Sequence, residues 1–226
     1  MADAYEDARL LARPRAPDTT ATRPLPPGLH PLGQGGGRDG LLRVPPETLA
    51  APLPLIIMLH GAGGDAAKAL RRIAPIADAA LVMLPESLGA TWDVLLGGYG
   101  PDVARLDAAL AQVLDEWPVD PARLAIAGFS DGASYALSLG LMNGEVFSHT
   151  LAFSPGFAAP LHFSGRTRCF LSHGTADEIL PIERCSRRLM PKLEASGFTG
   201  QYMEFPGGHE VPEAAAQAAL AFLGTG

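Results

Sequence analysis

Apolar positions along the chain fall into two alternating rhythms. Short, mainly apolar runs stand at residues 53–60 (LPLIIMLH), 81–84, 123–129 (RLAIAGF), 150–154, 168–172 and 201–205. All six predict strands, and the continuous run at 53–60 predicts one buried on both faces, because a half-wet strand alternates with period two. Between these runs the spacing changes to three and four. Val103, Leu106, Leu110, Val113 and Trp117 make one helical stripe, opened by Pro101 and ended by Pro118. Further helices are expected at 66–78, capped by Asp65, and at 130–142, 181–196 and 212–223. In the helix at 181–196, Ile182, Cys185, Leu189 and Leu193 share a face, and Pro191 predicts a kink. Alternation of strand and helix over 53–223 predicts the α/β class, with a mostly parallel central sheet and helices on both faces.

The first quarter of the chain reads differently. Residues 29–32 and 40–44 flank a glycine-rich loop at 33–39, which suits a hairpin or a looser connection. Residues 1–27 are rich in Ala, Arg, Pro and Thr. They read as an N-terminal arm, leaving 28–226 as a single domain.

Composition narrows the function. Of 226 residues, 26 are Gly and 21 are Pro, so turns are numerous, while 47% hydrophobic residues suffice for a full core. The net charge of −7 lacks the basic footprint of a nucleic-acid partner. No apolar run approaches the ~18–20 residues that span a bilayer. The first residues carry Asp3, Glu6 and Asp7 without a continuous apolar stretch, which reads against a secretory signal and for the cytoplasm. Cys169 and Cys185 form neither a disulfide framework nor a zinc set, so they read as reduced, packed thiols, with no metal expected.

The strongest chemical signal is Gly128-Phe129-Ser130-Asp131-Gly132, a G-x-S-x-G between a predicted strand and a predicted helix. There a serine sits on a sharp turn above the carboxyl edge of the sheet, at a helix N-terminus. A serine hydroxyl needs a base, and the base needs an orienting acid. His209, in a loop after the last strand, is the candidate base. Asp177, in the loop after residues 168–172, is the candidate acid, and its neighbour Glu178 is the alternative. His173 reads as a structural residue at a strand end; His149 and His162 read as ordinary. Backbone N–H groups of Asp131 and of Ala62, in His60-Gly61-Ala62-Gly63-Gly64, are candidate oxyanion donors. The Asp131 carboxylate must then point away from the developing charge or be compensated. Trp92 and Phe157 are candidate substrate-lining residues, while Phe153 suits a pocket or the core equally. Residues 154–167 are the only candidate cap.

These motifs, with His173-Gly174-Thr175-Ala176-Asp177 and Gly208-His209, resemble the α/β-hydrolase superfamily over roughly residues 28–226. The resemblance is to its small carboxylesterase/phospholipase group, with acyl-protein thioesterases and polyhydroxybutyrate-depolymerase-like esterases. It implies a serine hydrolase of carboxylic esters or thioesters with no cofactor, and the short connections of the chain predict a minimal lid or none. The triad would be Ser130, Asp177 and His209, and the oxyanion hole the Ala62 and Asp131 amides. The partner expected is a small-molecule ester, and the protein a monomer or homodimer. Asp131 departs from the thioesterase pattern, which has Gln at that position. Thioesterase and lysophospholipase activities remain alternatives, as does a non-catalytic binding protein of the same fold.

Overall fold

The computed structural model describes residues 5–14, 25–35, 37–46 and 52–224. The segments at 1–4 and 15–24, most of the expected arm, lie outside the described residues.

Eight strands form one sheet: β1 (Gly28–Pro31), β2 (Leu41–Val44), β3 (Leu53–Leu59), β4 (Leu81–Leu84), β5 (Val119–Phe129), β6 (His149–Phe153), β7 (Arg168–Gly174) and β8 (Gly200–Phe205). Their spatial order is β1-β2-β4-β3-β5-β6-β7-β8. From β4 to β8 every pairing is parallel, and β1 and β2 add an antiparallel edge. The segment at 29–44 is therefore a hairpin docked on the sheet. Five α-helices accompany the strands: α1 (Ala66–Arg72), α2 (Pro101–Glu116), α3 (Asp131–Met142), α4 (Ser186–Ala195) and α5 (Glu213–Gly224).

Strand β3 shows why its run lacks polar alternates. Leu53, Leu55, Ile57 and Leu59 pack into a layer with α2 and α3. Ile56 and Met58 pack into the opposite layer with α1 and α5. Successive side chains of a strand point to opposite faces, so a strand covered on both sides must be apolar throughout.

Several bounds differ from the expectation. Helix α1 stops at Arg72, and a 3-10 turn at Ala74–Ile76 follows. Pro75 lies in that turn and lacks the N–H that an α-helix would need. The expected helix at 181–196 is a 3-10 turn at Ile182–Arg184 followed by α4, with the break at Cys185. Helix α4 itself continues through Pro191.

Part of the expected arm belongs to the core. Ala8 and Leu10 are fully buried in the α2/α3 layer. Asn143, just past α3, accepts from Leu10 N at 2.8 Å and donates to Ala8 O at 2.9 Å. The buried Asp107 of α2 accepts from the Leu11 and Ala12 amides and from the Tyr5 hydroxyl. Two polar side chains thus satisfy backbone groups that burial would otherwise leave unpaired.

Both cysteines are free and buried, and burial pushes the Cys169 thiol up to about 12. Three buried histidines shape the response to acid. Burial first, and the Arg168 guanidinium second, push the His149 imidazole down to about 4. Burial also holds His60 and His173 below the ordinary imidazole range. The unfolded chain protonates these groups near pH ~6.5 while the folded chain does not, so folding loses stability as pH falls from there. The thermal midpoint is expected to drop between about pH 6.5 and pH 4, and His149→Gln to flatten that drop. A slope unchanged by the substitution would contradict the assignment.

Candidate active site

The turn at Ser130 is strained. Its backbone sits at φ 58°, ψ −123°, between the end of β5 and the start of α3. Non-glycine residues rarely adopt such a conformation, which costs of order 1–3 kcal/mol and persists where neighbours enforce it. Two glycines allow the enforcement. A Cβ on Gly128 would lie 2.1 Å from Gly132 O, and one on Gly132 would lie 2.4 Å from His60 O. Only bare backbone lets β5, α3 and the end of β3 approach so closely. The hydroxyl is thereby lifted to the carboxyl edge of the sheet.

The loops after β7 and β8 converge on the same point. Thr175 N donates to Phe205 O and Ala176 N to Gly207 O, each at 2.9 Å. A Cβ on Gly174 would lie 2.2 Å from Gly208 O, so this junction too requires glycine. His209 Nδ1 lies 2.7 Å from Asp177 Oδ2, and His209 Nε2 lies 2.8 Å from Ser130 Oγ. A carboxylate can only accept, so Nδ1 carries the proton and donates to Asp177. Nε2 then presents its lone pair to the serine hydroxyl. Glu178 is exposed and has no bond to His209, so the structure brings Asp177 to the imidazole.

Asp177 is buried and fully engaged. Its Oδ1 accepts from Ile179 N at 2.9 Å and Leu180 N at 2.8 Å. Burial alone would raise its carboxyl; the Leu180 amide and His209 outweigh it and hold the group below the usual carboxylate range. His173 stands behind it. Its Nε2–H donates to Leu180 O at 2.8 Å and faces Asp177 Oδ2 at 3.2 Å. Its Nδ1 accepts from Ser186 Oγ at 2.7 Å. The expected structural histidine therefore holds the loop that carries the acid.

The glycine loop after β3 has a defined polarity. The Gly61 carbonyl lies 2.8 Å from His60 Nδ1 and accepts from Gly64 N at 2.9 Å. His60 Nε2 accepts from Ser87 N at 3.1 Å, so its proton is on Nδ1 and points at Gly61 O. In a trans peptide the N–H points opposite to the C=O. The Ala62 N–H therefore points away from those tethers, and it has no acceptor among the described residues. Gly61 itself lies against Ser130, where an added Cβ would come within 3.2 Å of Ser130 Cβ. Asp131 is the first residue of α3, so its N–H has no intrahelical acceptor. Its carboxylate accepts from Thr91 Oγ1 at 2.8 Å, which turns the charge aside as the sequence required.

Arg38 supports this loop, and no sequence signal marks it. It donates to Ser87 O at 2.7 Å and to Gly64 O at 2.8 Å, and pairs with Glu86 at 3.4 Å.

Two expected pocket residues are corrected. Trp92 does not line a pocket: it is 1% exposed, stacked on Tyr135 at 5.1 Å, with its indole N–H donating to His60 O at 2.9 Å. A buried indole needs an acceptor, and the end of β3 supplies one. Phe157 is not among the residues lining the cavity at Ser130. The candidate cap runs along α3 instead of over the site. Gly156 N and Ala159 N donate to Ser134 Oγ and Ser138 Oγ, both at 2.9 Å, and Ser164 N donates to Leu141 O. Phe153 is fully buried core, with its ring against Phe170. The glycines at 97 and 98 line a separate cavity with Tyr99 and Leu161.

The cavity beside Ser130 has a volume of about 300 Å³ and includes Gly61, Ala62, Phe129, Ile179 and His209 in its walls. Among the described residues, no cluster of side chains suits a metal ion. Among the described residues, no helix is long and apolar enough to cross a membrane.

A model of one family, described as phospholipase/carboxylesterase, matches residues 103–225. The chain belongs to the phospholipase/carboxylesterase family. That match covers the serine turn, the acid loop and the histidine loop together. Similar proteins include feruloyl esterase C of Emericella nidulans, 28% identical over 163 residues, which are 67% of this chain and 59% of that protein. A probable feruloyl esterase C of Aspergillus niger is 28% identical over 167 residues. The chain spans about three fifths of the length of these fungal relatives. Among solved structures, esterase PE8 is 25% identical with a TM-score of 0.67, covering 81% of this chain and 96% of that one. The Bacillus cereus carboxylesterase is 17% identical with a TM-score of 0.66, covering 84% of this chain and 95% of that one; it shares the α/β-hydrolase fold.

Proposed function

We propose that this protein is a serine carboxylesterase that hydrolyses short-chain or soluble carboxylic esters through an acyl-enzyme on Ser130. The observation that carries this reading is the unbroken bonded chain from Ser130 Oγ through His209 to Asp177, built on a strained turn. Membership of the phospholipase/carboxylesterase family supports it.

In the first step Ser130 Oγ attacks the ester carbonyl carbon, and His209 Nε2 takes the hydroxyl proton. The carbonyl oxygen becomes an oxyanion, held by the Ala62 and Asp131 N–H groups. Asp177 keeps the proton on Nδ1 and stabilises the imidazolium. Collapse breaks the ester C–O bond, and His209 returns the proton to the leaving alkoxide. Water then repeats the attack on the acyl-serine, with His209 as base, and releases the acid.

The small cavity beside Ser130, with residues 154–167 lying along α3, favours short acyl groups. The kcat/KM for acetyl to butyryl esters is expected to exceed that for palmitoyl esters in a panel of p-nitrophenyl esters and matching thioesters. A long-chain optimum, or a preference for thioesters, would overturn the assignment. A second reading, hydroxycinnamoyl esters, is favoured by the feruloyl esterase relatives and is tested by adding methyl ferulate to the panel. A cytoplasmic location is part of the proposal, supported by two buried, unpaired thiols. So is action as a monomer or homodimer, which sedimentation at several concentrations tests.

A further inference from the structure

The cavity beside Ser130 has a charge opposite to that of the chain. The protein carries a net charge of −7. The walls of this cavity contain Lys68 and Arg72, and no aspartate or glutamate. The two cations stand four residues apart, on one face of α1.

They differ in what they touch. Lys68 Nζ donates to Gly63 O at 3.0 Å and faces Asp65 at 3.6 Å, so its charge is answered within the loop. Arg72 makes no hydrogen bond or ion pair among the described residues. Its contact is with the Phe129 ring, with Cζ 4.1 Å from the centroid. A ring face offers a guanidinium no lone-pair acceptor, so this contact leaves the N–H groups available to an anion. Phe129 immediately precedes Ser130, and its ring also meets the His209 ring at 4.6 Å. The guanidinium thus lies one ring away from the imidazole, at the cavity wall, with no N–H partner among the described residues. The preference of helix C-termini for cations explains a positive charge in this turn. It does not explain the placement, because Arg71 shares that turn and does not line the cavity.

We propose that the preferred substrates are esters carrying a carboxylate, and that Arg72 binds this carboxylate with its N–H groups. The inference rests on the esterase reading above and adds the substrate class. A planar guanidinium edge matches the two oxygens of a carboxylate, and the bidentate pair orients the ester as well as attracting it.

The test compares charged and neutral esters of matched size at low ionic strength. On the acyl side these are p-nitrophenyl hemisuccinate and p-nitrophenyl butyrate. On the alcohol side they are 4-acetoxybenzoate and 4-acetoxybenzamide. The wild type is expected to favour the charged member of at least one pair by roughly tenfold in kcat/KM. Added salt is expected to shrink that preference. Arg72→Gln is expected to remove it, and Arg72→Lys to keep part of it. The readout is a ratio within one enzyme, so a general loss of activity in a variant cancels. No preference in either pair, or a preference that survives Arg72→Gln, overturns the inference. Cleavage of the butyrate ester without any charge preference would do so while leaving the esterase reading standing. Failure to cleave all of these esters would remove both.

Discussion

Replacing Ser130 by alanine is expected to lower ester turnover by roughly 10⁶ in kcat and to abolish labelling by a fluorophosphonate probe. The hydroxyl is the only group the proposed acyl-enzyme can form on, and no other residue lies within bonding reach of His209 Nε2 among the described contacts. The cavity and the oxyanion donors remain, so a small rate above water should persist. The same position carries a stability signature. At φ 58° the serine backbone is in a region that glycine enters readily. Ser130→Gly is therefore expected to be as inactive as the alanine variant yet more stable by about 1 kcal/mol, read as a higher urea midpoint. Full activity in Ser130→Ala, or an adduct mapped to another residue, would remove Ser130 from the mechanism.

Asp177→Asn should reduce kcat by roughly 10⁴, with little change in KM. The physical reason lies in which atoms face which. Asp177 Oδ1 already accepts the Ile179 and Leu180 amides, so an asparagine would keep its oxygen there. Its amide NH₂ would then face His209 Nδ1 and turn the imidazole to the tautomer that carries its proton on Nε2. That nitrogen could no longer accept the serine proton. The NH₂ would also face the His173 Nε2–H, donor against donor, across the present 3.2 Å gap. Glu178 is exposed and outside this network, so Glu178→Gln should leave kcat within about twofold of the wild type. The reverse pattern, with Glu178 essential and Asp177 dispensable, would reassign the acid.

Both expectations rest on residues that the amino-acid order already exposed, and the corrections show where that order stopped informing. Strand β3 was legible because seven consecutive apolar residues have one physical explanation, burial on both faces. Ser130 was legible because a turn this tight needs Gly128 and Gly132 beside it, and both are local in sequence. Asp177 and His209 were legible from the order serine, acid, histidine in loops at one sheet edge. Trp92 was misplaced because an aromatic beside glycines looks the same whether it faces a ligand or a buried carbonyl. The acceptor of its indole N–H, His60 O, lies 32 residues away.

The chain by itself determined the strand–helix alternation, the strained serine turn and the triad candidates. The first two follow from interactions within a few residues, where periodicity and glycine placement constrain the backbone directly; the triad candidates follow from the order of the motifs along the chain. Tertiary structure alone decided which acid reaches His209, how Arg38 braces the Ala62 loop, and that residues 154–167 lie along α3. It also decided that residues 8–12 enter the core and that Arg72 lies over the Phe129 ring beside the nucleophile. These contacts join segments distant in sequence, so no local pattern along the chain specifies their partners.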